Sequence, residues 1–294
     1  ASEEMTRRTA AIHAEISGGA EASGEIMWSG TFHAVANRIL RLHAGMLGLS
    51  DFTVSDRSDS EDLMNLVRED GGFAKQDSRF PKKKACLNLY SYAVNARSSL
   101  EETVAKRAPQ CEEWTEDLKR LFKEYVRAKQ AQGVLDYDDL LLYWSQAMAH
   151  AEVGERIRSR FDCVLVDELQ DTNTLQYSIL QGLCPNGAGL TAVGDDAQSI
   201  YSFRAADVSN ILAFPERYPD ARVVRLERNY RSVQPILAAS NAVIELSSEG
   251  FEKSLRSERK SEQLPLLVTV DEEQDQAEFA CQRILENREN GIDL

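Results

Sequence analysis

Apolar positions recur along this chain in two different rhythms, and the change from one to the other divides it. Val35, Ile39, Leu42 and Met46 fall on one face at helical spacing, which predicts a helix with Gly48 as its stop. From residue 51 to about 150 the helical rhythm persists and strand signals vanish. It runs through Leu63, Leu66 and Val67, then Leu118, Leu121, Phe122, Tyr125 and Val126, then Leu140, Leu141, Trp144 and Met148. This stretch reads as a helical insertion in a sheet domain. Ahead of it, a helix-like opening through Ile16 leads to Ile26, Met27 and Trp28, read as a strand ending at 31–33.

Beyond it, short apolar runs return at 163–166, 190–193 and 222–226, separated by helical patterns around 175–183 and 208–212. Strands alternating with helices predict a parallel sheet, and an unbroken apolar run predicts a strand covered on both faces. A helix is expected after "RNYRSVQPIL", capped by Ser232 and with Pro235 in its first turn. A strand at 266–270 and a helix over 277–284 follow. This last segment is too short to close a domain and reads as the beginning of one. The fold class is therefore α/β.

The chain has 294 residues, 43% of them hydrophobic, enough for more than one domain. No stretch has the apolar length of a membrane span, and the first eight residues lack a signal-peptide core, so a cytoplasmic protein is expected. The five cysteines form no CxxC pair and the four histidines no HExxH, which favours neither a disulfide framework nor a zinc site. A net charge of −14 argues against coating nucleic acid by bulk electrostatics, so any DNA contact must be local. The basic runs Arg7-Arg8 and Lys82-Lys83-Lys84 read as solvated faces.

Three stretches carry candidate chemistry. "FDCVLVDELQDTN" (161–173) places Asp167 and Glu168 directly after an apolar strand, at the sheet edge where α/β proteins bind ligands. One carboxylate can hold Mg²⁺ while its neighbour deprotonates an attacking water, as nucleoside triphosphate hydrolysis requires. Exposed acids at a strand end are also common, so the pair alone does not decide. "TAVGDDAQSIYSFRAAD" (191–207) follows a second strand with Gln198, suited to sensing a γ-phosphate. Tyr201 and Phe203 offer faces on which unpaired bases can stack, beside Arg204. "LERNYRS" (226–232) sets Arg231 where a guanidinium could meet a phosphate, although a surface ion pair would use it equally well.

Taken in order with "SGTFHAVANRILR" near the start and "LDYDDLLL" (135–142), these motifs resemble the UvrD/Rep/PcrA-type helicases of superfamily 1. The resemblance covers almost the whole chain. It implies ATP and Mg²⁺ as cofactors, with Asp167 holding the metal and Glu168 activating water. Gln198 and Arg231 would contact the γ-phosphate, and Tyr230 would lie against the adenine. Thr31, Phe32, His33, Tyr201, Phe203 and Arg204 would line a single-strand path. Leu169 stands where the family usually has Phe or Tyr, and Phe203 where it usually has Trp; both remain apolar. The implied activity is 3′-to-5′ translocation on single-stranded DNA and unwinding at single/double-strand junctions, in repair or replication and with proteins of those processes as possible partners.

The implied domains are a RecA-like parallel sheet at 1–33 and 153–227, a large helical insertion at 34–152, and the start of a second RecA-like domain at 228–294. No GxxxxGK[ST] phosphate loop occurs in the sequence. In the resembling family it lies before this chain's first residue, with the remaining motifs beyond the last. The expectation is an internal fragment of a longer helicase, inactive by itself in hydrolysis. The alternative is a non-catalytic module for DNA or partner binding derived from the same fold.

Overall fold

The computed structural model describes residue 7 and residues 28–49, 51–73, 79–247 and 249–292. Apart from Arg7, which is helical, the expected opening helix lies outside them, as do Ile26 and Met27. The chain divides into two compact units, Ala1–Val223 and Val224–Leu294.

In the first unit, helix α1 (Phe32–His43) begins where a strand was expected to end. Thr31 is extended, and its hydroxyl accepts the Ala34 N–H at 3.3 Å, so the residues at 31–33 form a cap and a first turn. The helix stops at His43, and the turn that follows closes at Gly48, whose φ of 65° suits glycine. Two-residue strands β1 (Thr53–Val54) and β2 (Val134–Leu135) pair in parallel inside the stretch that showed no strand signal. Runs this short cannot display a period of two.

Helices α2 (Arg57–Asp70), α3 (Lys83–Ala96), α4 (Leu100–Arg107) and α5 (Thr115–Gln132) share one core. Met64, Leu87, Tyr90, Val104, Leu118 and Leu121 lie at its centre. Helices α6 (Tyr137–Ala149) and α7 (Ala151–Arg158) join α1 in a second core, which also receives Leu175 and Ile179. The apolar face read from Leu140, Leu141, Trp144 and Met148 is the one α6 buries.

The start of α6 explains much of "LDYDDLLL". Asp136 caps the helix by accepting the Asp139 N–H at 2.9 Å, while Asp139 accepts the Asp136 N–H at 3.0 Å. Lys129 of α5 is 2% exposed, with its Nζ 2.6 Å from Oδ2 of each acid. Tyr125 adds a hydroxyl donated to Asp136 at 3.0 Å. Stripping one partner from such a buried group typically costs about 3–5 kcal/mol, so these acids tie α5 to α6.

Strand β3 (Val164–Val166), helix α8 (Thr174–Leu183) and strand β4 (Leu190–Ala192) form a parallel unit with Val164 opposite Leu190 and Val166 opposite Ala192. Burial on both faces is not what β3 shows. Val166 is buried, yet Leu165, on the other face by the two-residue period, is 64% exposed. Short helices α9 (Ser209–Leu212) and α10 (Phe214–Arg217) follow.

The expected strand at 222–226 does not form: those residues pair with no strand among the described residues, and Val223, Val224 and Leu226 are exposed. The second unit holds α11 (Gln234–Ile244) and α12 (Glu273–Glu289), the latter longer than the helix expected at 277–284. Pro235 sits in the first turn of α11 as expected, but Val233, not Ser232, is the N-cap. It contributes no side-chain bond, and the Ser232 N–H is taken by Asn229 Oδ1 at 2.8 Å. Residues 266–270 form no strand, and Leu267 is 96% exposed. High β propensity makes a strand only where a neighbouring strand accepts its N–H and C=O groups.

Candidate functional site

Asp167 and Glu168 leave the carboxyl end of β3 in an abrupt turn. Glu168 takes a left-handed conformation, φ 54°, ψ 48°, costly for a residue with a Cβ. The Glu168 N–H donates to Asp167 Oδ1 at 3.0 Å, and the Leu169 N–H to the Val193 carbonyl at 2.9 Å. The strain therefore sits where the chain is bonded on both sides. It leaves two exposed carboxylates side by side at a strand end. Hard oxygen donors in that arrangement suit Mg²⁺, which takes one or two protein carboxylates and keeps several waters.

Gln170, whose place in the site was not anticipated, lies at its centre. The residue is 1% exposed; its Nε2 donates to Glu168 Oε2 at 2.7 Å and its Oε1 accepts the Asp195 N–H at 2.9 Å. Asp195 in turn accepts from Gln198 Nε2 at 2.7 Å and from the Ala197 N–H at 3.1 Å. The acid pair of β3 and the glutamine after β4 are thus brought together through two intervening side chains. Gly194 permits it: a Cβ there would stand 2.7 Å from Gln170 Oε1 and 2.8 Å from Ile211 Cδ1. Buried Leu169 and the polar pattern around Gln170 carried no sign of this link, because it closes only when two parallel strands set both loops at one edge.

The Gln198 turn continues into Tyr201, Phe203 and Arg204. The two rings lie 5.9 Å apart and tilted by 52°, with the Arg204 guanidinium 5.3 Å from one centroid and 5.4 Å from the other. All three are exposed and line a cleft of about 1480 Å³. His33 and Tyr137 line it too, their rings edge to face at 5.5 Å. Burial holds the His33 imidazole below its usual pKa, so it is a neutral ring near pH 7. Tyr92 and Arg107, stacked at 5.0 Å, supply a wall that sequence reading passed over.

Thr31 and Phe32 are placed differently from His33. Thr31 is spent on the cap of α1, and Phe32 packs 6.3 Å from Trp144; neither lines the cleft.

Acids shape the cleft floor. Asp138 accepts from Asn95 at 2.6 Å and Ser91 at 3.0 Å, and Asn95 accepts from Asn173, the cap of α8, at 2.9 Å. Burial, and then the charge of Asp136, raise the Asp138 pKa. Burial, and then the charge of Glu168, raise that of Asp171.

Tyr230 and Arg231 belong to the second unit. Tyr230 is exposed with Arg228 5.0 Å above its ring, and the Arg231 backbone is pinned by Asn229 Oδ1 at 2.9 Å and by Arg259 Nη1 on its carbonyl at 2.6 Å. The Arg231 side chain is itself exposed.

A sequence profile of the UvrD/REP helicase N-terminal domain matches residues 1–219. The ATP-dependent DNA helicase UvrD1 of Mycobacterium leprae is 34% identical over 275 residues, 89% of this chain and 35% of that protein. UvrD1 of Mycobacterium tuberculosis strain H37Rv is also 34% identical, over 88% of this chain and 34% of its own length. The ATP-dependent DNA helicase PcrA of Staphylococcus aureus strain COL is 31% identical over 91% of this chain and 36% of its own. The chain spans about a third of the length of these relatives. With the acid pair, the glutamine turn and the aromatic shelf joined at one sheet edge, the chain belongs to the UvrD/REP helicase family.

Proposed function

We propose that the full-length protein carrying this chain is an ATP-driven translocase on single-stranded DNA that unwinds duplex at single/double-strand junctions, moving 3′ to 5′, in cytoplasmic DNA repair or replication. The observation that carries this reading is the continuous set of hydrogen bonds from Glu168 through Gln170 and Asp195 to Gln198, on a turn that runs directly into the cleft-lining Tyr201, Phe203 and Arg204. A motor needs its hydrolytic base and its strand-holding surface mechanically joined, and here they are a few bonds apart.

In this reading Asp167 holds Mg²⁺ and Glu168 takes the proton of the attacking water. Gln198 and Arg231 meet the γ-phosphate, and Tyr230 lies against the adenine. Tyr201, Phe203 and Arg204 stack and clamp the strand, with His33 on the facing wall and Thr31 and Phe32 behind it. Residues 1–33 and 153–227 would be a RecA-like domain, 34–152 its insertion, and 228–294 the start of a second. Binding of Mg-ATP supplies a triphosphate whose hydrolysis is mostly a matter of positioning and charge stabilisation.

The test is Glu168→Gln in the full-length protein. The amide can occupy the same space but cannot accept a proton, so steady-state hydrolysis should fall by roughly 10²- to 10⁴-fold with ATP binding retained. Turnover within a few-fold of the unmutated protein would rule the assignment out.

A further inference from the structure

Three acids and one cation crowd the start of α6. Asp136 and Asp139 share the Lys129 ammonium at 2.6 Å each, and among the described residues no cation pairs with the third acid, Asp138. Asp138 lines the cleft instead, with Oδ1 accepting from Asn95 Nδ2 at 2.6 Å and from Ser91 Oγ at 3.0 Å. Its Oδ2 takes no hydrogen bond among the described residues. Two neutral donors on one oxygen hold the side chain in place and leave the other oxygen to meet a ligand.

Charges on the other elements set what that ligand encounters. Arg57, Lys84, Arg107 and Arg204 line the same cleft and draw a polyanion into it. Two further acids line it: Glu61, paired with Arg57 at 3.3 Å, and Asp171, one buried oxygen of which has no hydrogen-bond partner. Below Asp138 the Lys129 ammonium is shared and the Tyr90 hydroxyl is held neutral by burial, while α8 presents the amide of Asn173, which donates to Asn95 at 2.9 Å. His33 and Tyr137 complete the ionisable wall. A phosphate entering here meets an ionised Asp138 as a like charge and a protonated one as a donor.

We infer that Asp138 is a proton-gated contact for the strand: protonated, it donates through Oδ2 to a phosphate oxygen, and ionised it repels that phosphate, so binding of single-stranded DNA takes up a proton from solvent. The inference rests on the reading of this cleft as the single-strand path. Burial, and then the Asp136 charge, already hold the Asp138 carboxyl above its usual value in the empty cleft. A bound phosphate adds negative charge and an acceptor, and both favour the protonated form further. By linkage, protons must then strengthen binding of the strand as much as the strand strengthens binding of the proton.

The experiment uses the full-length protein without nucleotide and oligo-dT, whose base has no group titrating near neutrality, at constant ionic strength. Affinity should rise about three- to ten-fold from pH 8 to pH 5.5. Asp138→Asn keeps the acceptor for Asn95 and Ser91 and places an NH₂ where the acid would carry its proton. It should bind across the whole range about as tightly as the unmutated protein does at pH 5.5. His33→Gln removes the other group in the cleft that can gain charge on acidification, and should weaken binding while keeping the slope. Calorimetry of the unmutated protein in buffers of different ionisation enthalpy should show net uptake of up to about one proton per strand bound near pH 6, a readout that needs no variant.

Zero proton uptake, or a slope that survives in folded Asp138→Asn, would overturn the inference and leave the single-strand reading standing. A slope lost in His33→Gln and kept in Asp138→Asn would overturn it in favour of the imidazole. Failure of the unmutated protein to bind oligo-dT at any pH would remove the reading of the cleft, and the inference with it.

Discussion

Phe203 shows how one residue's role follows from where the chain puts it rather than from its type. A phenylalanine usually packs inward, but this one is 55% exposed, tilted against Tyr201 and faced by Arg204 at 5.4 Å. An exposed ring contributes little to the core, so Phe203→Ala should leave the fold intact. Its loss should weaken single-stranded DNA binding by about 1–3 kcal/mol, with equal losses on oligo-dT and oligo-dA, because stacking needs only a base face. Fluorescence anisotropy titrations of a folded variant that matched the unmutated protein would show that the ring does not meet DNA. Glu168 and Gln198 were legible as isolated chemistry, one after each strand. Gln170 was not, since a buried amide between two loops leaves no periodic or compositional trace in the chain.

Among the elements, the start of α6 carries a pH response. Asp136 and Asp139 share one ammonium, that of Lys129, in a dry site, so the cluster holds one negative charge too many. Burial, and then the charge of Asp136, push the Asp139 carboxyl up to about 6 from 3.8, against the pull of Lys129. A raised folded pKa means that the folded form binds the proton more tightly than the unfolded chain. That contribution is complete below about pH 4 and is lost as the pH rises through about 6. Asp138 and Asp171, also raised, act in the same direction. Urea midpoints of the 294-residue chain should fall between pH 4 and 6 and the decline should flatten in Asp139→Asn; equal slopes in the two proteins would refute this. Helices of this length were legible because amphipathic spacing repeats over several turns. Strands fared worse: β1 and β2 are too short to show a pattern, and 222–226 and 266–270 show the pattern without a partner strand among the described residues.

At the scale of the whole chain, the acids, the glutamine turn and the aromatic shelf occur without a phosphate-cradling loop anywhere in the 294 residues. Holding the triphosphate in register accounts for much of the catalysis of phosphoryl transfer, so keeping the acids should not compensate for lacking the cradle. The 294-residue polypeptide, incubated with Mg-ATP and single-stranded DNA, should show no DNA-stimulated phosphate release. Release that depended on DNA and disappeared in Glu168→Gln would mean that another segment does the loop's work. The order of motifs, the acids after 163–166, the aromatics after 190–193 and the helical stretch between residues 51 and 150 were all determined by sequence, because each depends on residue type and local spacing alone. Only the tertiary structure decided that Gln170 joins Glu168 to the Gln198 turn, that His33 faces the cleft while Phe32 packs against Trp144, and that Asp136 and Asp139 are spent on a helix cap and a buried lysine. The first two rest on contacts between residues far apart in the chain, Gln170 with Asp195 and Phe32 with Trp144, while the third joins near neighbours across the turn from α5 to α6. Parallel pairing of β3 with β4 brings Gln170 to the Gln198 turn, and no local pattern encodes that approach.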